Sequence, residues 1–322
     1  MTSTSSNPSA PAPTAPLIDR LAVIGCGLIG SSVIRAARAF GAANSIVVYD
    51  LSETVRSRVV ELGYADEVFD DVAEAVRGAD LVIFAAPPAA IGQAARAAAP
   101  GLKAGAIVSD VGSVKHAIGV ALRETAPEGV FVVPGHPIAG TESSGPDAGF
   151  AELFQGRWTI LCPEVSDDPA YLAAVDTLSA FWRTLGANVE LMDAKHHDLV
   201  LAVTSHLPHL IAYNIVGTAA DLESVTEGEV IKYSAGGFRD FTRIAASDPI
   251  MWRDVFLLNK DAVLEILGRF TEDLQALSRA IRWGEGDKLQ ALFTRTREIR
   301  RGVIAAGQES AETNFGRDKP KP

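Results

Sequence analysis

One short stretch restricts this chain more than any other: Leu21-Ala22-Val23-Ile24-Gly25-Cys26-Gly27-Leu28-Ile29-Gly30. The apolar run from Leu21 to Ile24 reads as a buried parallel strand. A Gly-x-Gly-x-x-Gly spacing follows at once, and a helical pattern continues from Leu28 to about Phe40. In such a unit Gly25 permits the tight turn, Gly27 lets the backbone approach a pyrophosphate, and Gly30 lets helix and strand pack closely. Leu28 and Ile29 open the helix, whose first turn leaves N–H groups unpaired and available to phosphate. A second strand, Ser45 to Tyr49, ends at Asp50. That acid lies about 20 positions past Gly30, where a carboxylate accepts from a ribose 2′-hydroxyl and repels a 2′-phosphate. The order strand, glycine turn, helix, strand, acid predicts a dinucleotide-binding α/β domain with a doubly wound parallel sheet. Asp50 points to NAD as its cofactor.

The remaining strands follow the same logic. Glu67 to Phe69 forms a short strand and Leu81 to Ala85 a buried one, ending at Ala86-Pro87-Pro88. Proline there imposes an extended loop. Carboxyl ends of strands face the ligand crevice in such sheets, so Ala86 and Pro87 are expected along the cofactor. Ile107 to Asp110 is a fifth strand, leading to Ser113, which either caps a helix starting near Val114 or presents its hydroxyl to the crevice. Phe131 to Val133 is a sixth, running into Gly135-His136-Pro137. A histidine between glycine and proline at a strand end is no routine helix-face residue, which makes His136 a candidate acid–base group. Trp158 to Leu161 and Asn188 to Met192 read as further strands, with a helix from Pro169 to Leu185 between them.

From Asp193 the texture turns helical. His196 and His197 are adjacent and point to different faces; surface or core packing is the expected role, with a functional part for one of them left open. In Ser205-His206-Leu207-Pro208-His209, Ser205 and His209 share a face, and Pro208 removes a helix hydrogen bond. A kink beside polar groups in an apolar helix, Leu199 to Ile215, suggests a pocket. The His-x-x-His spacing makes a poor metal site, without evident further ligands, and no metal is expected. Gly236-Gly237 reads as a flexible entry to a helical turn. Arg239 and Asp240 read as a surface pair, whereas Arg243 is either solvated or a clamp for a carboxylate. Asp248-Pro249 caps a long helix, along which Val255, Leu258, Ala262, Ile266 and Phe270 form one stripe. A second helix runs from about Asp287 to Ala306.

Composition adds bounds. With 322 residues, 48% hydrophobic and 21% charged, the chain has room for two domains with sizeable cores. A net charge of -11 argues against a nucleic-acid partner. Cys26 falls inside the glycine motif, where a disulfide would obstruct the cofactor, so a reducing cytoplasm is expected. No unbroken apolar run is long enough for a membrane span, and no signal peptide is evident. The expected division is a disordered tail at 1–18, a dinucleotide-binding domain at 19–192, a helical substrate and dimerisation domain at 193–310, and a frayed end at 311–322.

Taken together, these blocks resemble the prephenate/arogenate (cyclohexadienyl) dehydrogenase family of tyrosine biosynthesis, over about Leu21 to Ala306. The resemblance rests on Gly25-x-Gly27-x-x-Gly30, Asp110-Val111-Gly112-Ser113-Val114-Lys115, Gly135-His136-Pro137-Ile138-Ala139-Gly140-Thr141-Glu142, Ser205-His206-Leu207-Pro208-His209 and Gly237-Phe238-Arg239-Asp240-Phe241-Thr242-Arg243. It implies a Rossmann domain followed by an all-α dimerisation domain, with the active site between them, and hence a homodimer. It implies that prephenate or arogenate is oxidatively decarboxylated with hydride transfer to NAD. By the same resemblance, His136 is the catalytic histidine that accepts a hydrogen bond from the ring C4 hydroxyl. Ser113 positions that histidine and the nicotinamide, and Arg243 binds the ring carboxylate. Ser205 and His209 line the pocket, Glu142 gates its mouth, and Trp252 is another pocket position. No fused chorismate mutase or regulatory domain is expected.

Two other readings remain open at this point. A 3-hydroxyacid-type dehydrogenase of similar outline would need a catalytic lysine on the first helix of the second domain, where Lys195 is the candidate. A non-catalytic NAD sensor would need neither His136 nor Arg243.

Overall fold

A computed structural model describes residues 16–141, 143–223 and 236–305. Most of the expected N-terminal tail, the expected frayed end and Glu142 lie outside the described residues.

Six parallel strands form the main sheet in the order β3-β2-β1-β4-β5-β6. They are β1 (Ile18–Ile24), β2 (Ala43–Tyr49), β3 (Glu67–Phe69), β4 (Leu81–Phe84), β5 (Ile107–Asp110) and β6 (Phe131–Val132). The order reverses between β1 and β4, the switch point where dinucleotides bind in such sheets. β1 begins before the apolar run: Ile18 is buried and pairs with Ala43. Because side chains alternate across a strand, β1 feeds two cores. Leu21 and Val23 pack with Val33, Ile34, Phe181 and Trp182 on one face. Ala22 and Ile24 pack with Phe84, Ile91 and Leu122 on the other. Helices α1 (Leu28–Ala39), α2 (Glu53–Leu62), α3 (Val72–Ala75), α4 (Ile91–Ala98), α5 (His116–Thr125) and α6 (Pro169–Thr184) cover the faces.

A second sheet was not foreseen. β7 (Gly135–Pro137) pairs antiparallel with β8 (Trp158–Leu161), which pairs parallel with β9 (Asn188–Leu191). His136 lies opposite Ile160 in this ladder, so its backbone is fixed by strand pairing. Three residues are too few to carry a periodicity, so β7 has no strand signal of its own.

The helical part begins with α7 (Ala194–Leu201), capped by Asp193, which accepts from the N–H groups of Lys195 and His196 at 3.0 and 2.9 Å. A π-helical turn, Ala202–His206, leads into α8 (Leu207–Glu223). The proline disturbance expected around Pro208 thus takes the form of a widened turn just before it. The run Ala194–Leu222 is long and apolar enough, by length and composition, to cross a membrane. Its buried His197, Asp198 and His206 are bonded to His136, Lys115 and Asn259, outside the run, so its first half packs against the rest of the protein.

α9 (Gly236–Thr242) is helical from its first residue, so the expected flexible Gly236-Gly237 entry is instead the first turn of a helix. α10 (Pro249–Leu258) is capped by Asp248, which accepts from Met251 N–H at 2.8 Å. The long helix expected from this cap breaks at Asn259 (φ -108°, ψ 30°), and α11 (Lys260–Arg282) starts afresh. The stripe from Val255 to Phe270 is therefore divided between two helices. The reason is the Asn259 side chain, which turns inward to bond Asp198 and His206. α12 (Gly286–Ala305) follows.

The chain separates into two compact units, one ending at Val263 and one starting at Leu264. The side chains of the candidate active site all belong to the first. The second is strongly amphipathic, with Leu264, Leu274, Ile281, Trp283, Phe293 and Ile299 exposed.

Candidate active site

The glycine turn has the shape the spacing foretells, and each glycine has its own reason. Gly25 adopts φ +104°, and a Cβ there would lie 2.7 Å from the Ala85 carbonyl oxygen. At Gly30 a Cβ would stand 1.9 Å from the Gly25 carbonyl oxygen. At Gly27 a Cβ would meet no atom within 4 Å. Neither of the first two tolerates a side chain, so they build the turn, whereas Gly27 keeps a space open. Gly27 is the N-cap of α1 and supplies no side-chain bond. Leu28 and Ile29 open that helix, so their amides are among the unpaired donors that suit a pyrophosphate.

Asp50 closes the other side. Its Oδ2 accepts from Cys26 N–H at 2.8 Å and its Oδ1 from Ser52 N–H at 2.9 Å. A carboxylate has about four lone-pair sites, so acceptor capacity remains for a ribose hydroxyl. The open cradle, the uncapped helix and the anchored acid fit a dinucleotide. Ala86 and Pro87 follow β4 at its carboxyl end, as expected. Cys26 and Cys162 are buried free thiols. Burial pushes the Cys162 thiol up to about 12 and raises Cys26 as well, with Asp50 adding to the effect. Both are inert.

Beyond the carboxyl end of β5, a buried polar network holds β7. Lys115, fully buried, donates from Nζ to the Asp110 carboxylate and, at 2.6 Å, to the Gly135 carbonyl. Asp110 also accepts from the N–H groups of Gly112 and Gly135, at 2.8 and 3.2 Å. Burial pushes the Asp110 carboxyl up, and the ammonium of Lys115 opposes that. These bonds clamp the residue just before His136.

His136 is half-buried. Its Nδ1 lies 2.9 Å from Nε2 of His197, and Nδ1 of His197 lies 2.9 Å from Oδ1 of Asp198. Desolvation holds His136 well below the usual histidine range, with the neighbouring His197, Lys115 and His206 acting in the same direction. It is therefore neutral near pH 7. Burial lowers His197 too, against the pull of Asp198. Burial alone would raise Asp198, but its bonds from His197, Lys115 N–H and His116 N–H hold it below the carboxylate range.

Ser113 does not cap α5. That helix starts at His116 with no side-chain cap of its own. Its first amides are taken instead by Asp198, more than eighty positions later, from Lys115 N–H at 2.7 Å and His116 N–H at 2.9 Å. The cap comes from another element because that carboxylate satisfies two amides and a histidine at once. Ser113 is half-buried.

The Ser205–His209 block builds a second wall. Nδ1 of His209 lies 2.9 Å from the Ser205 carbonyl, and its ring stacks on Trp252, centroids 3.6 Å apart. Trp252 packs with Val114 and Val255, which joins α10 to the segment just after Ser113. Desolvation lowers His209; the Ser205 carbonyl opposes this, and the positive charge of Arg243 adds to the lowering. Arg243 therefore lies within electrostatic reach of His209. It is exposed and starts a short 3-10 turn, Arg243–Ala246. His206 is fully buried and held down to about 4 by desolvation, its Nδ1 3.1 Å from Nδ2 of Asn259. Arg239 and Asp240 are 3.8 Å apart and exposed, the loose surface pair expected. Lys195 is exposed at the start of α7, and its N–H serves the Asp193 cap. Among the described residues no group of histidine, cysteine and acidic side chains could hold a metal.

Comparison with known proteins decides the family. A profile described as "Prephenate dehydrogenase, nucleotide-binding domain" matches residues 33–191, and one described as "Prephenate dehydrogenase, dimerization domain" matches residues 193–295. A cyclohexadienyl dehydrogenase of Zymomonas mobilis is 45% identical over 280 residues, covering 87% of this chain and 94% of that protein. The chain belongs to the prephenate dehydrogenase family. Among solved structures, prephenate dehydrogenase from Aquifex aeolicus in complex with hydroxyphenyl propionate and NAD+ superimposes with a TM-score of 0.82. It is 32% identical and covers 88% of this chain and 98% of that one. Synechocystis arogenate dehydrogenase has a TM-score of 0.75 at 26% identity, over 88% and 99% of the two chains.

His197, Asp198, Lys115 and Asn259 are the members of this constellation that sequence reasoning did not single out. Their signal is faint: a His-Asp pair at a helix start, a lysine ending a strand loop, and an asparagine inside an apolar stripe.

Proposed function

We propose that the chain catalyses oxidative decarboxylation of prephenate, arogenate or both, with NAD as hydride acceptor, in tyrosine biosynthesis. The observation that carries this reading is His136, neutral and half-buried, clamped on a strand beyond the sheet's carboxyl edge with Nδ1 engaged. Gly25, Gly27, Leu28, Ile29, Gly30, Asp50, Ala86 and Pro87 would hold NAD, which when bound takes up the hydride leaving ring C4. His136 accepts the proton of the C4 hydroxyl at Nε2. A neutral imidazole suits that role near pH 7. Loss of CO₂ then leaves an aromatic ring, so the side chains need chiefly to hold the diene in place and take one proton.

Arg243 pairs with the ring carboxylate, where a guanidinium offers two parallel donors. His209, stacked on Trp252, and Ser205 wall the ring. The Ser113 hydroxyl orients the nicotinamide side. Glu142, outside the described residues, is assigned the gate. The substrate and dimerisation part starts at Asp193, and two copies associate through the exposed apolar face of the helices after Leu264, in the cytoplasm. Several large apolar side chains left exposed on one pair of helices favour an association site. Lys195, outward-facing in the Asp193 cap, gives the 3-hydroxyacid alternative no catalytic lysine.

The test is direct. Purified protein with NAD and either prephenate or arogenate should raise absorbance at the reduced-nicotinamide band. A flat trace with both substrates, from folded protein that binds NAD, refutes the reading.

A further inference from the structure

Asp198 has both oxygens committed to backbone amides, Oδ1 to Lys115 and Oδ2 to His116. Amides only donate, so both oxygens face the surroundings with lone pairs. Oδ1 is also the atom 2.9 Å from Nδ1 of His197. That contact is therefore His197 Nδ1–H donating to a carboxylate. The His197 ring is fully buried and neutral, so its Nε2 keeps a lone pair. Nε2 lies 2.9 Å from Nδ1 of His136, and two ring nitrogens in contact share one proton. It belongs to His136.

We propose that Asp198 and His197 form a positioning relay that holds His136 in its Nδ1–H tautomer, so that Nε2 presents a lone pair to the substrate hydroxyl. An unconstrained histidine side chain prefers the opposite tautomer, which would offer a donor where an acceptor is required. The relay reverses that preference from behind the ring, as the hydrogen bond at one ring nitrogen sets the chemistry of the other. When Nε2 receives the hydroxyl proton, the imidazolium still donates from Nδ1 to His197, with the Asp198 charge behind it. No proton moves within the relay, and no bond other than the hydroxyl O–H and the new Nε2–H changes there. The same carboxylate caps α5, so the helix start and the tautomer are set by one group. Aspartates behind catalytic histidines act in this manner elsewhere.

The inference rests on the reading of His136 as the base, and the two are tested apart. ¹⁵N-histidine NMR of the NAD-bound protein reports the tautomer of each of its six histidines, with the His136 signal assigned by its loss in His136→Asn. The parent should show His136 protonated at Nδ1. His197→Leu should move it to Nε2–H, and His197→Gln, whose amide oxygen can stand where Nε2 stood, should restore it. In steady-state assays His197→Leu should lose roughly 10- to 100-fold in kcat, the scale set by leaving a buried N–H unpaired, while NAD affinity stays put. His197→Gln should recover most of that rate. An Nε2–H tautomer of His136 in the parent overturns the proposal, whether or not His197→Leu folds. So does a folded His197→Leu enzyme with parental kcat. If His136→Asn keeps full rate while the tautomers behave as described, the base assignment fails and the relay stands.

Discussion

Gly27 and Gly30 belong to one motif, yet their substitution should fail in opposite ways. At Gly30 an added Cβ would overlap the Gly25 carbonyl oxygen at 1.9 Å and press Ala85 Cβ at 3.1 Å. The first obstacle is backbone within a turn that is itself hydrogen-bonded, Gly25 N–H donating to Tyr49 O at 2.8 Å, so it cannot swing aside. Overpacking typically costs 1–3 kcal/mol, and a clash against backbone belongs at about 3 kcal/mol or above. At 2–4 °C per kcal/mol for chains of this order, Gly30→Ala should melt roughly 6–12 °C below the parent. Gly27 has φ -72° and ψ -163°, which alanine adopts freely, and open space around it. Gly27→Ala should lose only about 0.5–1 kcal/mol through the poorer N-cap. Its defect should be in binding, because the methyl occupies the approach of the pyrophosphate. A loss of roughly 10- to 100-fold in NAD affinity corresponds to about 1.4–2.8 kcal/mol. Thermal unfolding without NAD and a fluorescence titration with it separate the two effects. If Gly27→Ala binds NAD as tightly as the parent, or melts as early as Gly30→Ala, the division of roles is wrong.

Other outcomes follow from the site. His136→Asn should lower kcat by roughly two to four orders of magnitude with NAD binding intact; unchanged turnover would reject the base assignment. Because His136 is depressed and works as the neutral form, kcat/KM should persist as pH falls through 6.5 and decline only well below it. A loss centred on the ordinary histidine pKa would contradict the burial argument. His206, at about 4 against 6.5, is a stability group. Between those values the unfolded chain binds a proton the native state refuses, so native stability is full above pH 6.5 and drains as pH falls toward 4. The loss is about 3 kcal/mol, and urea unfolding of parent and His206→Gln across that range should show a shallower decline in the variant. Arg243→Gln should raise KM for prephenate roughly 10- to 100-fold, the scale of a lost charge-assisted pair, with kcat less affected. An unmoved KM would misplace Arg243.

The readable parts of this protein are those set by neighbours in sequence. The glycine turn, the Asp50 terminus of β2, the Asp248-Pro249 cap and the Pro169 helix start each depend on a handful of consecutive residues, and each stands where the pattern puts it. What was not readable depends on distant pairs. Asp198 reaches back to the amides of Lys115 and His116, which displaced Ser113 from the capping role. Asn259 left its helix to bond Asp198 and His206, so an apolar stripe that looked continuous is broken. β7 is a strand only because β8 lies beside it. His136 could be picked out by its Gly and Pro neighbours, but nothing local tells which of its ring nitrogens is occupied.

The π-helical turn at Ala202–His206 has a consequence for how this segment can change over generations. A π-turn holds one residue more than the α-turn it replaces, and each helical residue advances the side-chain direction by about 100°. Removing a single codon here would close the turn to an ordinary α-turn with the downstream phase nearly unchanged, leaving His209 on Trp252 and Tyr213 beside the Ser247 carbonyl it reaches at 2.7 Å. The same deletion in a neighbouring α-helical turn has no spare residue to absorb it and would rotate everything downstream by about 100°. Loss of one residue should therefore be tolerated within this turn and not beside it.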